Sequence, residues 1–142
     1  MKRSIIRLAP MLLLGACQPG EDTATGAPAE AFDGIAAEET IYLTGTEPFW
    51  GGEITGSKAQ YSTPENQDGT MFEVERFAGN NGLAYTGQID GGNFDLTVTP
   101  GECSDGMSDR SYPFTTTLKV GDEQRNGCAW TDRQPFTGPE SP

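Results

Sequence analysis

The chain has no histidine and only three cysteines in 142 residues, and its nine basic residues are outnumbered by 21 acidic ones, giving a formal charge of −12. Without histidine there is no Ser-His-Asp triad, no Cys-His dyad, no His-ligated zinc and no His-ligated haem. The shortage of Lys and Arg argues against a nucleic-acid backbone as partner, because such binding needs clustered positive charge. No apolar run approaches the roughly 20 residues of a membrane-spanning helix. Beyond the first residues no stretch repeats its apolar positions with a helical period, so long amphipathic helices are not expected. One domain is expected at this length. The odd cysteine count raises the question of what the third one does.

The chain opens MKRSIIRLAPMLLLGAC. Lys2, Arg3 and Arg7 make a positive start, and Leu8 to Leu14, broken only by Pro10, make a short apolar run. That pattern fits an export signal. Its end, Leu14-Gly15-Ala16-Cys17, resembles the bacterial lipobox, in which an apolar residue and two small ones precede a cysteine. The resemblance implies that residues 1–16 are removed and that Cys17 carries the lipid, a palmitate-type modification anchoring the chain to a membrane. Multiple acyl chains anchor stably, since each buried methylene contributes about 0.8 kcal/mol. Gln18, rather than Asp, follows the cysteine, which by the same resemblance implies the outer membrane and a periplasm-facing domain. The other reading is an ordinary export signal with a chance cysteine. Cleavage removes three basic residues and no acidic one, leaving six against 21, a net of −15. Anionic headgroups repel such a chain, so the lipid and not a basic patch holds it at the membrane.

Residues 17–38 are rich in Ala, Gly, Pro, Thr and acid, with Phe32 and Ile35 as the only larger apolar groups. They are expected to form a flexible tether placing the domain on the order of 25 Å from the anchor. The tail, 131–142, holds three prolines and is expected to be loose, with Phe136 as its one docking candidate. Between them, 39–130 is a small domain that a covalent staple would help.

Within 39–130 apolar residues alternate with polar ones. Ile41 and Leu43 share a phase, as do Trp50 and Ile54, Phe72 and Val74, Leu83 to Ile89, Phe94 to Val98, and Phe114 to Val120. A period of two means strands with one buried face. Asn80-Asn81-Gly82, Asp90-Gly91-Gly92, Pro100-Gly101 and Gly121-Asp122 read as turns. The expected fold is all-β, a small antiparallel up-and-down β-barrel of seven or eight strands, with a sandwich as the alternative. With Cys17 taken by lipid, Cys103 and Cys128 are left to pair in an oxidising compartment. Their loop of about 26 residues is worth roughly 3 kcal/mol in the chain-entropy treatment. The spacing is unlike that of a redox C-x-x-C pair.

Two segments stand out: Thr44-Gly45-Thr46-Glu47-Pro48-Phe49-Trp50-Gly51, and Cys103-Ser104-Asp105-Gly106-Met107-Ser108-Asp109-Arg110-Ser111-Tyr112-Pro113-Phe114. With Tyr61-Ser62-Thr63-Pro64 and Gly127-Cys128-Ala129, they resemble a family of bacterial envelope lipoproteins carrying TGTEPFW and CSDGMSDRxYPF motifs. That family is distantly like envelope domains of the META/HslJ type and the membrane-bound lysozyme-inhibitor type. The resemblance implies compartment and domain type rather than an activity.

Glu47, Phe49, Trp50, Asp105, Asp109 and Arg110 are the candidate binding residues. Trp50 shares the phase of Ile54 and is expected in the core, which turns Phe49 outward or across a barrel end. Arg110 offers a planar five-donor fork to Asp105, Asp109 or Glu47, and the Asp side chains suit loop amides. A glycosidase would need two carboxylates about 5 Å or about 6.5–9.5 Å apart, in a cleft that so small a domain hardly provides. Calcium would need more oxygens than Asp105 and Asp109 supply. No catalytic residue, metal or cofactor is therefore assigned, and the expected role is a non-catalytic binding or protective envelope module. Inhibition of a cationic hydrolase such as lysozyme is one form of it. A structural or assembly role with a protein or lipid partner is the alternative.

Overall fold

A computed structural model describes residues 30–141, so Cys17, the expected signal and most of the expected tether lie outside the described residues. Eight strands follow one another: β1 (Ile41–Gly45), β2 (Gly51–Thr55), β3 (Lys58–Thr63), β4 (Asn66–Ala78), β5 (Leu83–Ile89), β6 (Gly92–Cys103), β7 (Tyr112–Val120) and β8 (Glu123–Thr131). Each pairs antiparallel with the next, and β8 returns to β1, closing the barrel. The fold is thus the all-β up-and-down barrel the alternation implies, with eight strands and no exposed edge.

Register decides which side chains face inward. Ile41 opposes Ile54 and Thr131, and Leu43 opposes Ala129. Tyr85 opposes Leu96, which opposes Leu118. These residues are all buried. An aromatic file runs through the interior: Trp50 to Tyr61 at 6.1 Å, Tyr61 to Phe94 at 6.1 Å, and Phe94 to Phe72 at 4.8 Å between ring centroids. Full burial of each such side chain is worth about 1.5–3 kcal/mol. The interior is therefore filled by the chain's own residues.

An arginine sits on the inward face toward each end of the barrel. Arg76, opposite buried Tyr85, donates to the Ile35 carbonyl at 2.9 Å. Arg125, opposite buried Leu118, donates to the Tyr61 hydroxyl at 2.8 Å and pairs with Glu123 at 2.7 Å. Their aliphatic stems fill space in the core while their heads reach polar groups at the rims.

Asp90 and Gly91 join β5 to β6 with positive φ values of 48° and 76°. That is the backbone a two-residue hairpin needs to match strand twist. Pro100-Gly101, in contrast, is not a turn. It lies within β6, where the ladder to β7 shifts register between Pro100 and Cys103. The β5 pairing ends at Val98, so Pro100 lies where β6 runs past β5 and its missing N–H breaks no bond of that ladder.

The domain is wider than 39–130. Ile35 is 1% exposed and belongs to the core, and Phe32 packs against it. The Phe32 N–H donates to the Gly79 carbonyl at 2.6 Å. Two apolar residues in a polar stretch suffice to cap the barrel end where the chain enters. The tail docks as well. Phe136 packs on Tyr112 and Trp130 at 5.7 and 5.6 Å, and Thr137 and Ser111 exchange backbone bonds at 2.8 and 2.9 Å. Trp130 and Tyr42 stack at 5.4 Å on the barrel's outside, so the tail covers an external aromatic strip.

Candidate binding face

In an eight-stranded meander the β1–β2, β3–β4, β5–β6 and β7–β8 connections share one rim, and the chain enters at the other. The first motif forms the β1–β2 connection, on the rim away from the entry. Its Gly45 has no room for a side chain: a Cβ would lie 2.1 Å from the Trp50 indole, which therefore lies flat over the glycine. The Trp50 indole N–H donates to the Asn126 carbonyl at 3.1 Å. Trp50 is core, as its phase implies, and the Glu47-Pro48-Phe49 segment is pushed outward, with Phe49 42% exposed. The Glu47–Pro48 peptide bond is cis.

The second motif begins on the entry rim, yet it reaches the same place. Ala129 faces inward, so Cys128 faces outward on β8, and it is nevertheless fully buried. Cys103 covers it through a disulfide. Cys103 Sγ also lies 3.3 Å from the Gly127 carbonyl, at the level where Gly127 pairs with Gly45, the last residue of β1. The disulfide thus fastens the β6–β7 loop back along the outside of the barrel.

Asp105 organises this loop from within. Its Oδ1 accepts the Met107 and Ser108 amides at 3.0 and 2.8 Å, and its Oδ2 accepts the Ser108 and Tyr112 hydroxyls at 2.6 and 3.1 Å. Hydrogen bonds from the Ser108 hydroxyl, against the opposing effect of burial, hold its carboxyl down at about 2, with the two amides and Tyr112 adding to the effect. Asp105 is accordingly an ionised acceptor with every lone-pair direction in use, inside an Asx-type turn. Gly106, at φ 74°, allows the chain to double back.

The two motifs meet in an open hollow of about 390 Å³ lined by Thr46, Glu47 and Phe49 on one side and Ser104 to Met107 on the other. Met107 is 62% exposed there. Phe49 also borders a hollow of about 600 Å³ with Glu47, Pro48, Pro64, Glu65 and Arg125, and a third of about 360 Å³ with Trp50 and Pro64. One exposed aromatic side chain is thus the ridge between three depressions.

Of the six candidate binding residues, Glu47 and Phe49 stand on this face, Trp50 and Asp105 support it from beneath, and Asp109 is exposed. Arg110 is elsewhere. Its Nε donates to the Pro139 carbonyl at 2.7 Å, another of its nitrogens donates to the Glu140 carbonyl, and its guanidinium lies 4.3 Å from the centre of the Phe136 ring. It clamps the tail rather than pairing with Asp105, Asp109 or Glu47, because the docked tail presents carbonyl oxygens and an aromatic face next to it. Met107, Pro64, Glu65 and Arg125 were not among the expected site residues. Met107 lies within the second motif and reaches Phe49 through the disulfide, Pro64 and Glu65 come beside it through the β2–β3 pairing, and Arg125 comes through the closure of β8 on β1. Comparison with protein-family models, with curated proteins and with solved structures finds no match.

Proposed function

We propose that this protein is a lipid-anchored envelope lipoprotein of the outer membrane, facing the periplasm, whose barrel is a non-catalytic protein-binding module. Phe49 carries the docking, with Met107 beside it. The single observation supporting this most strongly is that two exposed apolar side chains from distant loops converge on one hollow while a disulfide, a saturated buried carboxylate and a flat-lying indole fix the backbone beneath them. Anchors carried on a fixed backbone lose less entropy on association than those on mobile loops, and a few such side chains carry most of an interface's binding energy. The filled interior puts ligand contacts on the outside. Asp105 has no free oxygen with which to act as a base, which weighs against a carboxylate pair at Asp105 and Asp109. The excess of acid suits a basic partner such as a cationic cell-wall hydrolase, since opposite charge speeds encounter.

The test is crosslinking pull-down from intact envelope with the full chain and with Phe49→Ala/Met107→Ala. Loss of a specific partner in the variant supports the docking face. Identical partners in both contradict it. Met71 and Phe77, 62% and 68% exposed on the outer face of β4, favour a second reading. A second apolar contact far from Phe49 would suit an assembly protein bridging two partners, and Phe77→Ala would then remove one partner and leave the other.

A further inference from the structure

We infer that the hollow between the β1–β2 loop and the β3–β4 turn receives a lysine or arginine side chain from a basic partner protein, an inference that rests on the docking face proposed above. The hollow has about 600 Å³ and is lined by Glu47, Pro48, Phe49, Pro64, Glu65 and Arg125. Its apolar walls are an exposed aromatic ring and two prolines, stiff surfaces suited to the aliphatic stem of a long side chain. A cation brought over the Phe49 ring gains a further attraction to its face.

The charges select the sign of the occupant. Arg125 is already engaged, with one terminal nitrogen on the Tyr61 hydroxyl at 2.8 Å and the other on Glu123 at 2.7 Å. The hydrogen bond it donates to Glu123 raises its pKa against the opposing effect of burial, and the charges of Tyr61, Glu123 and Glu65 add to the rise. Among the described residues the ion pairs are Arg125–Glu123 and Arg133–Glu39, so neither Glu47 nor Glu65 is in one. Two carboxylates that are in no ion pair therefore border this hollow, and the terminal nitrogens of its arginine are already held. An anion entering it would sit between two like charges, beside a guanidinium whose terminal nitrogens are already paired. A group with an aliphatic stem and a cationic head meets complementary surface at both ends. Lysine and arginine are the protein side chains of that shape, and partners rich in them are also those the acidic chain attracts at long range.

The test titrates the full chain with N-acetylated tetralysine amide and with the same peptide acetylated on every side-chain amine, reading amide NMR shifts and affinity. The charged peptide is expected to shift Phe49 and Glu65, and the acetylated one to leave them unmoved. Glu47→Gln/Glu65→Gln should weaken binding about fivefold, the size of two exposed ion pairs. Glu73→Gln/Glu75→Gln removes the same charge from the exposed face of β4 and should weaken it by less than about twofold. Equal losses in the two double variants would reduce the effect to the general field of an acidic chain and overturn the inference, as would shifts that avoid Phe49. All four glutamates are exposed, and unchanged urea midpoints confirm that both variants fold. If the peptide results hold but Phe49→Ala/Met107→Ala leaves envelope crosslinking intact, the docking face fails and the hollow stands. The reverse pattern overturns the hollow alone.

Discussion

The Tyr112 hydroxyl donates to Asp105 Oδ2 at 3.1 Å in a buried contact that joins the start of β7 to the turn carrying Met107. This bond, with the Cys103–Cys128 disulfide at the other end of the loop, converts a glycine-containing surface segment into a fixed platform.

Asp105→Ala leaves two amides and two hydroxyls without their acceptor and is expected to cost about 2–3 kcal/mol, read as a lower urea midpoint. Asp105→Asn should cost less at neutral pH and should flatten the acid limb. The folded carboxyl is held at about 2, below its ordinary value of 3.8, so its contribution is full above 3.8 and disappears as pH falls through about 2. Wild-type stability should drop across that window by about 2 kcal/mol more than that of Asp105→Asn.

Reduction of the disulfide, or Cys103→Ser/Cys128→Ser, is expected to lower stability by about 3 kcal/mol. It should also speed amide exchange selectively at residues 104–108, because the loop loses its fastening on β8. Unfolding the unreduced protein without thiol exchange should expose no thiol from this pair, as a thiol-reactive dye can measure.

Gly45→Ala places a methyl group 2.1 Å from the Trp50 indole and is expected to cost about 1–3 kcal/mol through displacement of the ring. The check is a red shift in tryptophan emission accompanying a lower melting temperature. An unshifted spectrum would mean that the indole does not rest on the glycine.

Arg110 holds the tail, so a Glu47→Gln and Arg110→Lys double-mutant cycle should give a coupling energy near zero. Arg110→Ala should accelerate amide exchange at Thr137, whose N–H bonds to the Ser111 carbonyl, and leave envelope crosslinking unchanged.

Much of the fold is legible because its strands alternate cleanly. Ile41, Leu43, Leu83, Tyr85, Phe94, Leu96, Phe114 and Leu118 each sit in phase and face inward. The strands β3 and β8 carry a weaker pattern. Ala59 is small, Arg125 occupies an inward position, and Gly127, Cys128 and Ala129 are buried in succession because the disulfide covers the outer face. Period two reports burial by one face alone, and a staple over the other face erases it. Ile35 and Phe136 escaped the domain boundaries for a related reason. Single apolar residues in polar segments cannot nucleate structure, but they dock once a barrel end or an aromatic strip exists for them. At the candidate face the segments are legible as motifs: the core position of Trp50 and the outward turn of Phe49 follow from alternation, and the amide contacts of Asp105 follow from turn chemistry. The partner of Arg110 does not, because it depends on where the tail returns.

The docking face is tested most directly by placing a photo-crosslinking amino acid at position 49, at 107, and at the control position 58, exposed beside the β2–β3 turn on the entry rim, and irradiating intact cells. One shared, basic protein adduct is expected from positions 49 and 107 and none from 58. Equal crosslinking from all three positions, or adducts from 58 alone, would contradict a docking face built on Phe49.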